Sequence, residues 1–393
     1  MNKNTNNITF IMPWHISERG GGAEVQANYL SQALAERGFK VSYVCQTTSA
    51  SKVNSHEVKN NVQIHWLKPS GKFHWMDQNK YDYILKRLQP EIIVQRLSSN
   101  VSYVIGKYCK NNSCKFIWIC TDNLSPYKNY HVLKFKKNNT VDKVGKIKYH
   151  VFLKNAQIMD WFRNKGMKQV DIAFTQNIKQ SKILENEFDM KSERMISGHP
   201  TPKSHFEPQT NFFKKTIIWC GNFGLNKRPQ LFVELANALI ERDYKFIMIG
   251  SHSDRAYVNS ILKNKPDGLQ VTGQLSFEES LSYFDKASLL VNTSKSEGFS
   301  NTYIQAWLRG LPTLVFGADP SNVIASNNLG YVCNDVSEAA KCIEKILSDF
   351  NEYEILANNT KTFAMNHHTI EIMTEHFLSV LKQNKTSVRI EEL

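Results

Sequence analysis

The stretch SEGFSNTYIQAWLRGLP, residues 296–312, places one glutamate directly before a Gly-Phe pair and a short amphipathic helix. Glu297 can accept hydrogen bonds from hydroxyl groups, and Gly298 lets the backbone pass close to a ligand. The backbone N–H groups of residues 298–301 are then expected to face a negatively charged group. In a second interpretation, Glu297 only stabilises the dipole of the following helix.

The helix in this stretch is predicted to begin at a capping Ser300 or Asn301 and to end before Pro312. Asn301 and Gln305 are four residues apart, so they project from the same helix face. The stretch therefore supplies a group of candidate ligand-binding residues: Gly298, Phe299, Ser300, Asn301 and Gln305.

A second candidate loop, CGNFGLNKRP, follows an apolar strand-like run and precedes a helix. Lys227 can reach an anion at the strand ends, and Arg228 is a weaker candidate because it can instead cover the helix start. The alternative is that this Lys-Arg pair is solvated surface. The position of Lys227 after a strand favours a functional role.

A third candidate is the glycine run in ERGGGAEVQ, which includes Gly21 and Gly22 and precedes a helix. Glycines at a helix start leave backbone N–H groups accessible to a phosphate. The run is not a dinucleotide fingerprint, because Val25 stands where the third glycine would be. A flexible turn is the alternative interpretation.

A fourth candidate is Asp122 in the sequence CTDN, residues 120–123, which follows another apolar run. A carboxylate at a strand end is expected to face a ligand cleft, because ligands of open parallel sheets bind beyond the carboxyl ends of the strands. The alternative is that Asp122 caps a turn.

Alternating apolar strands and amphipathic helices position these four loops. Strands are predicted at residues such as 8–14, 40–46, 91–96 and 115–120, and again, after a proline-rich break at 198–215, at 216–223, 244–251 and 288–294. We therefore predict an α/β protein with two doubly wound, Rossmann-like domains facing a central cleft. The predicted boundaries are an N-terminal domain 1–200, a hinge linker 201–213, a C-terminal domain 214–350, and helices 351–393 that cross back to the first domain.

Composition sets the class of protein. The chain has 393 residues, of which 41% are hydrophobic, so two separate cores are expected. The first ten residues lack a signal-peptide core, and no apolar run is long enough to span a membrane, so we expect a cytoplasmic protein. The seven cysteines show no C-x-x-C spacing and are interpreted as reduced thiols, and no metal site or cofactor is predicted.

The formal net charge of +13 favours an acidic partner. Residues 128–155 interleave lysines with Tyr, Phe, Leu and Ile, which predicts a basic amphipathic surface that meets an anionic membrane. A solvated charged helix is the alternative for this segment. A nucleic-acid partner is not predicted, because the lysines are spread along the whole chain and form no single stripe.

Together, the glycine run with Ala23-Glu24, the spacing from Gly221 to Lys227, and EGFSNTYIQAWLRGLP resemble the retaining glycosyltransferases of family 4. That resemblance extends over essentially the whole chain and implies the two-domain GT-B fold. In the family, two glutamates separated by seven residues bind the donor. Glu297 matches the first, which contacts the transferred sugar, and Gln305 stands where the second would meet the ribose.

Other family positions differ in this sequence. Asn222 stands where the family has an arginine that joins the lysine on the diphosphate, and the loop at 120–123 lacks the family's histidine. The resemblance implies Glu297 and Lys227 as catalytic residues, and Asp122 is predicted as a third because it follows a strand and is expected to face the cleft. The donor-binding set comprises Gly21, Gly22, Asn222, Lys227, Arg228, Gly298, Phe299, Ser300, Asn301 and Gln305.

The implied activity is metal-independent transfer of a hexosyl group, with retention, from a nucleotide diphosphate sugar to a glycan or lipid-linked acceptor in cell-surface polysaccharide synthesis. The expected location is cytoplasmic or peripheral at the inner face of the membrane. A nucleotide-sugar isomerase (epimerase) on a GT-B-like fold is the alternative, and it would consume the donor without an acceptor.

Overall fold

A computed structural model of the protein describes residues 7–384 except 72, 204 and 253. Contacts divide the chain into two compact units. Unit 2 comprises Ser197–Thr369, and unit 1 comprises the residues before Ser197 together with those from Ile370 onward.

Among the described residues of unit 1, eight strands form one sheet. They are β1 (Asn7–Trp14), β2 (Lys40–Gln46), β3 (His56–Lys59), β4 (Val62–Leu67), β5 (Ile92–Arg96), β6 (Lys115–Ile119), β7 (Ile172–Thr175) and β8 (Glu193–Arg194). Their order across the sheet is β3-β4-β2-β1-β5-β6-β7-β8. All neighbouring pairs are parallel except β3 with β4, which are antiparallel.

Helices cover both faces of this sheet. They are α1 (Gly22–Glu36), α2 (Gln78–Leu88), α3 (Ser102–Asn111), α4 (Tyr130–Asn138), α5 (Val141–Val144), α6 (Lys146–Met167) and α7 (Ile178–Phe188). Side chains alternate along each strand, so Phe10 of β1 packs in a cluster with Leu30 of α1, whereas Ile11 packs in a cluster with Ile84 of α2. The sheet is therefore doubly wound.

Unit 2 contains a second sheet, which is entirely parallel in the described residues. Its strands are β9 (Thr216–Cys220), β10 (Lys245–Ile249), β11 (Leu269–Gly273), β12 (Leu289–Asn292), β13 (Thr313–Val315) and β14 (Gly330–Val332). The order is β11-β10-β9-β12-β13-β14. The chain order reverses between β9 and β12, so the loops that follow these two strands flank the switch point where such sheets bind ligands.

The helices of unit 2 are α8 (Pro208–Phe213), α9 (Pro229–Ala238), α10 (Arg255–Leu262), α11 (Phe277–Phe284), α12 (Asn301–Trp307), α13 (Val323–Ser326), α14 (Val336–Ser348) and α15 (Phe350–His367). Residues 201–213, predicted as a hinge linker, lie within unit 2 and include α8. Residues 351–369, predicted as part of the C-terminal helices, also lie in unit 2.

The last helix, α16 (Ile370–Gln383), belongs to unit 1. Met373 and Phe377 are buried in the same cluster as the residues of α1, and Arg37 pairs with Glu375 at 3.1 Å. The remainder of the predicted C-terminal segment, residues 385–393, lies outside the described residues. In the part of the chain that is described, no helix combines the length and apolar character needed to cross a membrane.

Candidate functional site

The loops that follow β9 and β12 are joined by hydrogen bonds at the switch point of unit 2. The N–H of Lys295 donates to the carbonyl of Asn226 at 2.7 Å, and the Asn226 side chain donates to the carbonyl of Ser296 at 2.8 Å. The Thr293 hydroxyl donates to the carbonyl of Lys227 at 2.5 Å. These bonds hold residues 226–228 against residues 293–297.

Lys227 and Glu297 meet where these two loops join. The Nζ atom of Lys227 lies 2.5 Å from Oε1 of Glu297, and the two side chains are 23% and 13% exposed. Each charge therefore neutralises the other while part of each side chain stays accessible to solvent. The structure brings together the cation and the carboxylate that the sequence singled out in two separate motifs.

Arg228 has a different environment from Lys227. Its guanidinium donates to the carbonyls of Thr293 and Phe316, each at 2.7 Å, and to that of Ser294 at 3.2 Å. Burial lowers its pKa. Arg228 thus fastens its own loop to the ends of β12 and β13, and it fixes the position of the neighbouring Lys227.

A close backbone contact fixes the beginning of the same loop. The N–H of Gly221 donates to the carbonyl of Ile249 at 3.0 Å, and Gly250 has φ +135°. A Cβ atom added to Gly250 would lie 1.8 Å from the carbonyl oxygen of Gly221, so only glycine fits there. Gly250 was not among the predicted residues, although a glycine directly after the apolar run YKFIMI indicates a close approach of the backbone.

Asn222 stabilises the loop from within. Its side-chain oxygen accepts a hydrogen bond from the N–H of Gly224 at 3.3 Å. The carbonyl of Ser251 accepts the N–H of Phe223 at 3.1 Å, which ties the loop to the residues after β10. Asn222 therefore shapes the loop that carries Lys227.

Helix α12 begins at Asn301, as the predicted cap implied, and Ser300 is its N-cap residue. The Ser300 hydroxyl contacts the Thr302 hydroxyl at 2.9 Å and makes no capping bond to the backbone. Asn301 is half-buried and bonds to the side chain of His199, whereas Gln305 is buried and only 5% exposed.

Phe299 packs inward beside the start of this helix. Its ring lies 4.8 Å from the ring of His368 and 6.1 Å from that of Trp307, measured between centroids. Gly298 is half-buried between Glu297 and this aromatic cluster. The loop that presents Glu297 is therefore supported by a packed aromatic layer.

The remaining predicted residues lie in unit 1. Gly21 is the N-cap residue of α1, and a Cβ added there would lie 2.3 Å from Oε2 of Glu24. The Glu24 carboxylate thus folds back over the first turn of α1, where the sequence predicted a phosphate near Gly21 and Gly22. Burial raises the pKa of Glu24.

Asp122 organises its own loop. Its carboxylate accepts the N–H groups of Leu124 at 2.8 Å and Ser125 at 2.9 Å, and the hydroxyl of Tyr130 lies 3.5 Å away. The turn-capping interpretation describes these contacts, and the catalytic role of Asp122 stays a prediction.

Arg96, the last residue of β5, was missed by sequence analysis. It is 2% exposed, and its Nε and Nη1 atoms have no hydrogen-bond partner among the described residues. Burial lowers its pKa to about 10, and the nearby Glu24 opposes that shift. An arginine at the end of a strand is usually exposed to solvent. The sequence therefore does not indicate that Arg96 is buried.

Within the described residues, no group of three or more His, Cys, Asp or Glu side chains is arranged to hold a metal ion. The polar groups at the switch point of unit 2 include the Lys227 ammonium, the Glu297 carboxylate and the amide side chains of Asn222 and Asn301. This set can contact an anion and hydroxyl groups simultaneously.

Two doubly wound sheets of mainly parallel strands are the architecture of GT-B glycosyltransferases, and solved structures share it with this chain. Sucrose-phosphate synthase from Thermosynechococcus elongatus superimposes with a TM-score of 0.74 and 15% identity, over 96% of this chain and 98% of that chain. HepE from Anabaena, in complex with UDP-glucose, superimposes with a TM-score of 0.67 and 12% identity, over 96% of this chain and 99% of that one.

Sequence comparison points to the same class of protein. Residues 214–349 match the family model described as Glycosyl transferases group 1. An uncharacterized glycosyltransferase of Methanocaldococcus jannaschii is 28% identical over 151 residues, which is 36% of this chain. The match spans 43% of the length of that relative. The matched family segment contains both Lys227 and Glu297.

Proposed function

We propose that this protein is a glycosyltransferase that moves a sugar from a nucleotide diphosphate donor to an acceptor hydroxyl. The observation that carries the proposal is the contact between Lys227 and Glu297 at the switch point of unit 2, inside the segment that matches the family model. A cation beside a carboxylate suits a ligand that carries a diphosphate next to a polyhydroxylated ring.

In the proposed reaction, the bond between the anomeric carbon and the diphosphate breaks, the acceptor oxygen bonds to that carbon, and the proton of the acceptor hydroxyl passes to a phosphate oxygen of the departing diphosphate. Negative charge then grows on the departing diphosphate. In this proposal Lys227 stabilises that charge, and Glu297 accepts hydrogen bonds from the sugar hydroxyls. The ion pair of 2.5 Å must rearrange when the donor enters, because both partners exchange this contact for contacts to the donor.

Some of the surrounding residues contact the donor in this proposal, and others shape the loops that hold it. Asn222, Gly298, Phe299, Ser300 and Asn301 shape the two loops around the donor. Arg228 acts on the donor through the loop, because its guanidinium is bonded to three carbonyls. We propose that Gln305 contacts the ribose, as the resemblance implies, and Gly21 and Gly22 of unit 1 remain predicted phosphate-binding residues. Asp122 remains a predicted catalytic residue.

We favour a UDP-sugar as the donor, with transfer of a hexosyl group and retention at the anomeric carbon. HepE, which shares the fold, is described in complex with UDP-glucose, and the resemblance to family 4 implies retention. A glycan or lipid-linked acceptor in polysaccharide synthesis, reached by a cytoplasmic enzyme at the membrane surface, completes the proposal. The isomerase alternative is not favoured, because the family model and the curated relative are both glycosyltransferases.

The proposal is tested by measuring thermal stability with UDP-, GDP- and ADP-sugars, and then turnover with the donor that binds. A donor at about 100 times its dissociation constant should add about 2.7 kcal/mol to the free energy of unfolding. The Glu297→Gln variant should lose most of this stabilisation, whereas Lys263→Gln, at an exposed site on the same unit, should keep it. Absence of stabilisation by every nucleotide sugar would contradict the proposal, and donor consumption without acceptor would favour an isomerase.

A further inference from the structure

Helix α6 presents an unusual surface. Ile147, Val151, Ile158 and Trp161 are all exposed, with Ile147 83% exposed and Trp161 50% exposed. Together with Lys154 and Lys165 they recur at spacings of four and three residues, so all six lie on one side of the helix. We call this set the outer face of α6.

The opposite side of α6 is firmly attached to unit 1. Ala156, Asp160, Arg163 and Met167 are buried. The Asp160 carboxylate accepts the N–H groups of His131 and Val132 of α4 at 2.8 and 3.1 Å. A Cβ added to Gly166 would lie 2.1 Å from the backbone of Ser102, so α6 crosses α3 in close contact. The outer face is therefore carried on a rigid support.

The exposed charged residues of α6 are all positively charged. Lys146, Lys148, Lys154 and Lys165 are exposed, while Asp160, the one acidic residue of α6, is buried against α4. The Lys165 ammonium lies 3.8 Å from the centroid of the Trp161 ring, so cation and aromatic form one amphipathic unit. Lys136 and Lys137 of α4, the helix whose first turn is bonded to Asp160, are also exposed.

We propose that the outer face of α6 docks unit 1 on an anionic lipid bilayer, with Ile147 and Trp161 entering the headgroup region and the lysines contacting lipid phosphates. Exposed aliphatic and indole side chains among lysines match the boundary of an anionic membrane. A second copy of this helix would oppose lysines with lysines, and a nucleic acid offers no partner for the aliphatic residues. The inference rests on the proposed function, because a lipid-linked acceptor lies in the bilayer and the enzyme must reach it there.

The test is co-sedimentation of the full chain with two kinds of vesicle: pure phosphatidylcholine, and phosphatidylcholine mixed with phosphatidylglycerol. Binding should be at least tenfold stronger to the anionic vesicles and should weaken with added salt. The variant Lys154→Glu/Lys165→Glu should bind about thirtyfold more weakly. The variant Ile147→Ser/Trp161→Ser should bind the anionic vesicles about tenfold more weakly. The blue shift of tryptophan fluorescence that accompanies vesicle binding should be smaller in this variant or absent.

Matched controls come from exposed residues elsewhere. Val58→Ser/Ile178→Ser removes two exposed apolar side chains from unit 1, and Lys263→Glu/Lys265→Glu reverses two exposed lysines of unit 2. Both controls should bind the anionic vesicles like the unaltered protein. Circular dichroism of every variant establishes that the fold is retained.

Several outcomes would overturn the inference. These are equal binding to both vesicle types, outer-face variants that bind like the controls, a dimer that the outer-face variants dissociate, or RNA binding with no vesicle binding.

The Glu297→Gln variant keeps the two proposals distinguishable. It should sediment with anionic vesicles whether or not donor binding is lost, and failure of vesicle binding would leave turnover on a soluble acceptor intact.

Discussion

The indole N–H of Trp219 donates to the hydroxyl oxygen of Thr293 at 2.8 Å, and that hydroxyl in turn donates to the carbonyl of Lys227. Trp219 lies on β9 and Thr293 directly follows β12, and both side chains are buried. One hydroxyl thus connects the two strands of the switch point to the backbone of the residue that carries the candidate cation.

Replacing this hydroxyl should destabilise unit 2 and misplace Lys227. We expect Thr293→Val to lower the free energy of unfolding by about 1–3 kcal/mol, because a buried indole N–H and a partly buried carbonyl both lose a partner. Chemical denaturation measures the loss. Thr210→Val removes an exposed hydroxyl and should change stability by no more than about 0.5 kcal/mol. Equal effects in the two variants would contradict the role assigned to Thr293.

Lys227→Ala should reduce turnover by about 100-fold or more, because the departing diphosphate loses its nearest cation, a loss of about 2.7 kcal/mol of transition-state stabilisation. Steady-state kinetics with the identified donor provide the measurement. Lys263→Ala, which removes an exposed lysine from the same unit, should retain normal turnover. Normal turnover in Lys227→Ala would remove this residue from the reaction.

Gln305→Ala should raise the donor KM about fivefold and leave turnover mostly unchanged. A neutral hydrogen bond to a ribose hydroxyl contributes about 1 kcal/mol, and it acts equally on bound substrate and transition state. Gln305→Glu should change the donor KM by less than tenfold, because a stronger hydrogen bond and repulsion by the diphosphate oppose each other. Loss of turnover with unchanged donor binding would instead place Gln305 in the chemical step.

Gly250→Ala should destabilise unit 2 by about 3 kcal/mol or more, because the new methyl group meets the carbonyl oxygen of Gly221 and the backbone at φ +135° is strained for any other residue. Donor binding should fall with it, since the displaced loop carries Lys227. Gly268→Ala is the control, because a Cβ there meets nothing within 4 Å. Denaturation and donor titration of both variants measure the two effects.

His199 should make unit 2 sensitive to acid. Burial lowers its pKa from 6.5 to about 3, although the hydrogen bond with Asn301 opposes the shift. Between these two pKa values the unfolded chain takes up a proton that the folded protein does not, so stability falls as the pH drops below 6.5. The loss is about 2 kcal/mol at pH 5. His199→Gln should reduce this dependence by about 2 kcal/mol in calorimetric scans from pH 7 to pH 5, and an unchanged slope would contradict the assignment.

Much of the sheet architecture was predictable because central parallel strands are buried on both faces and read as continuous apolar runs. The predicted runs at 216–223 and 288–294 contain β9 and β12. Their final residues lie in the loops that carry the site, since an apolar run does not reveal where backbone pairing stops.

The edge of the first sheet was not predicted. Strand β3 is exposed along its whole length, so it shows no apolar alternation. It is joined to β4 by Asn60 and Asn61, which have φ values of 48° and 60°. Two asparagines between short β-prone segments are a hairpin signal that was available in the sequence.

The candidate site was only partly predictable for a different reason. Lys227 and Glu297 are 70 residues apart, and each was identified from its own loop. Their contact depends on β9 lying next to β12, which is a property of strand order rather than of either motif. The fastening role of Arg228 also depends on that order, because its three carbonyl partners follow β12 and β13.

Helix α16 completes the core of unit 1, although it is synthesised after unit 2. Phe377 stacks on Phe174 of β7, with ring centroids 5.7 Å apart, and Met373 is buried in the same cluster. A ribosome synthesises these residues after all of Ser197–Thr369, whose two ends are linked to each other by the bridge between His199 and Thr369. All residues of unit 2 are therefore available to fold while the first sheet still lacks α16. The apolar side chains that α16 covers, such as Phe174, stay accessible to solvent and to chaperones until the final turns of α16 leave the exit tunnel.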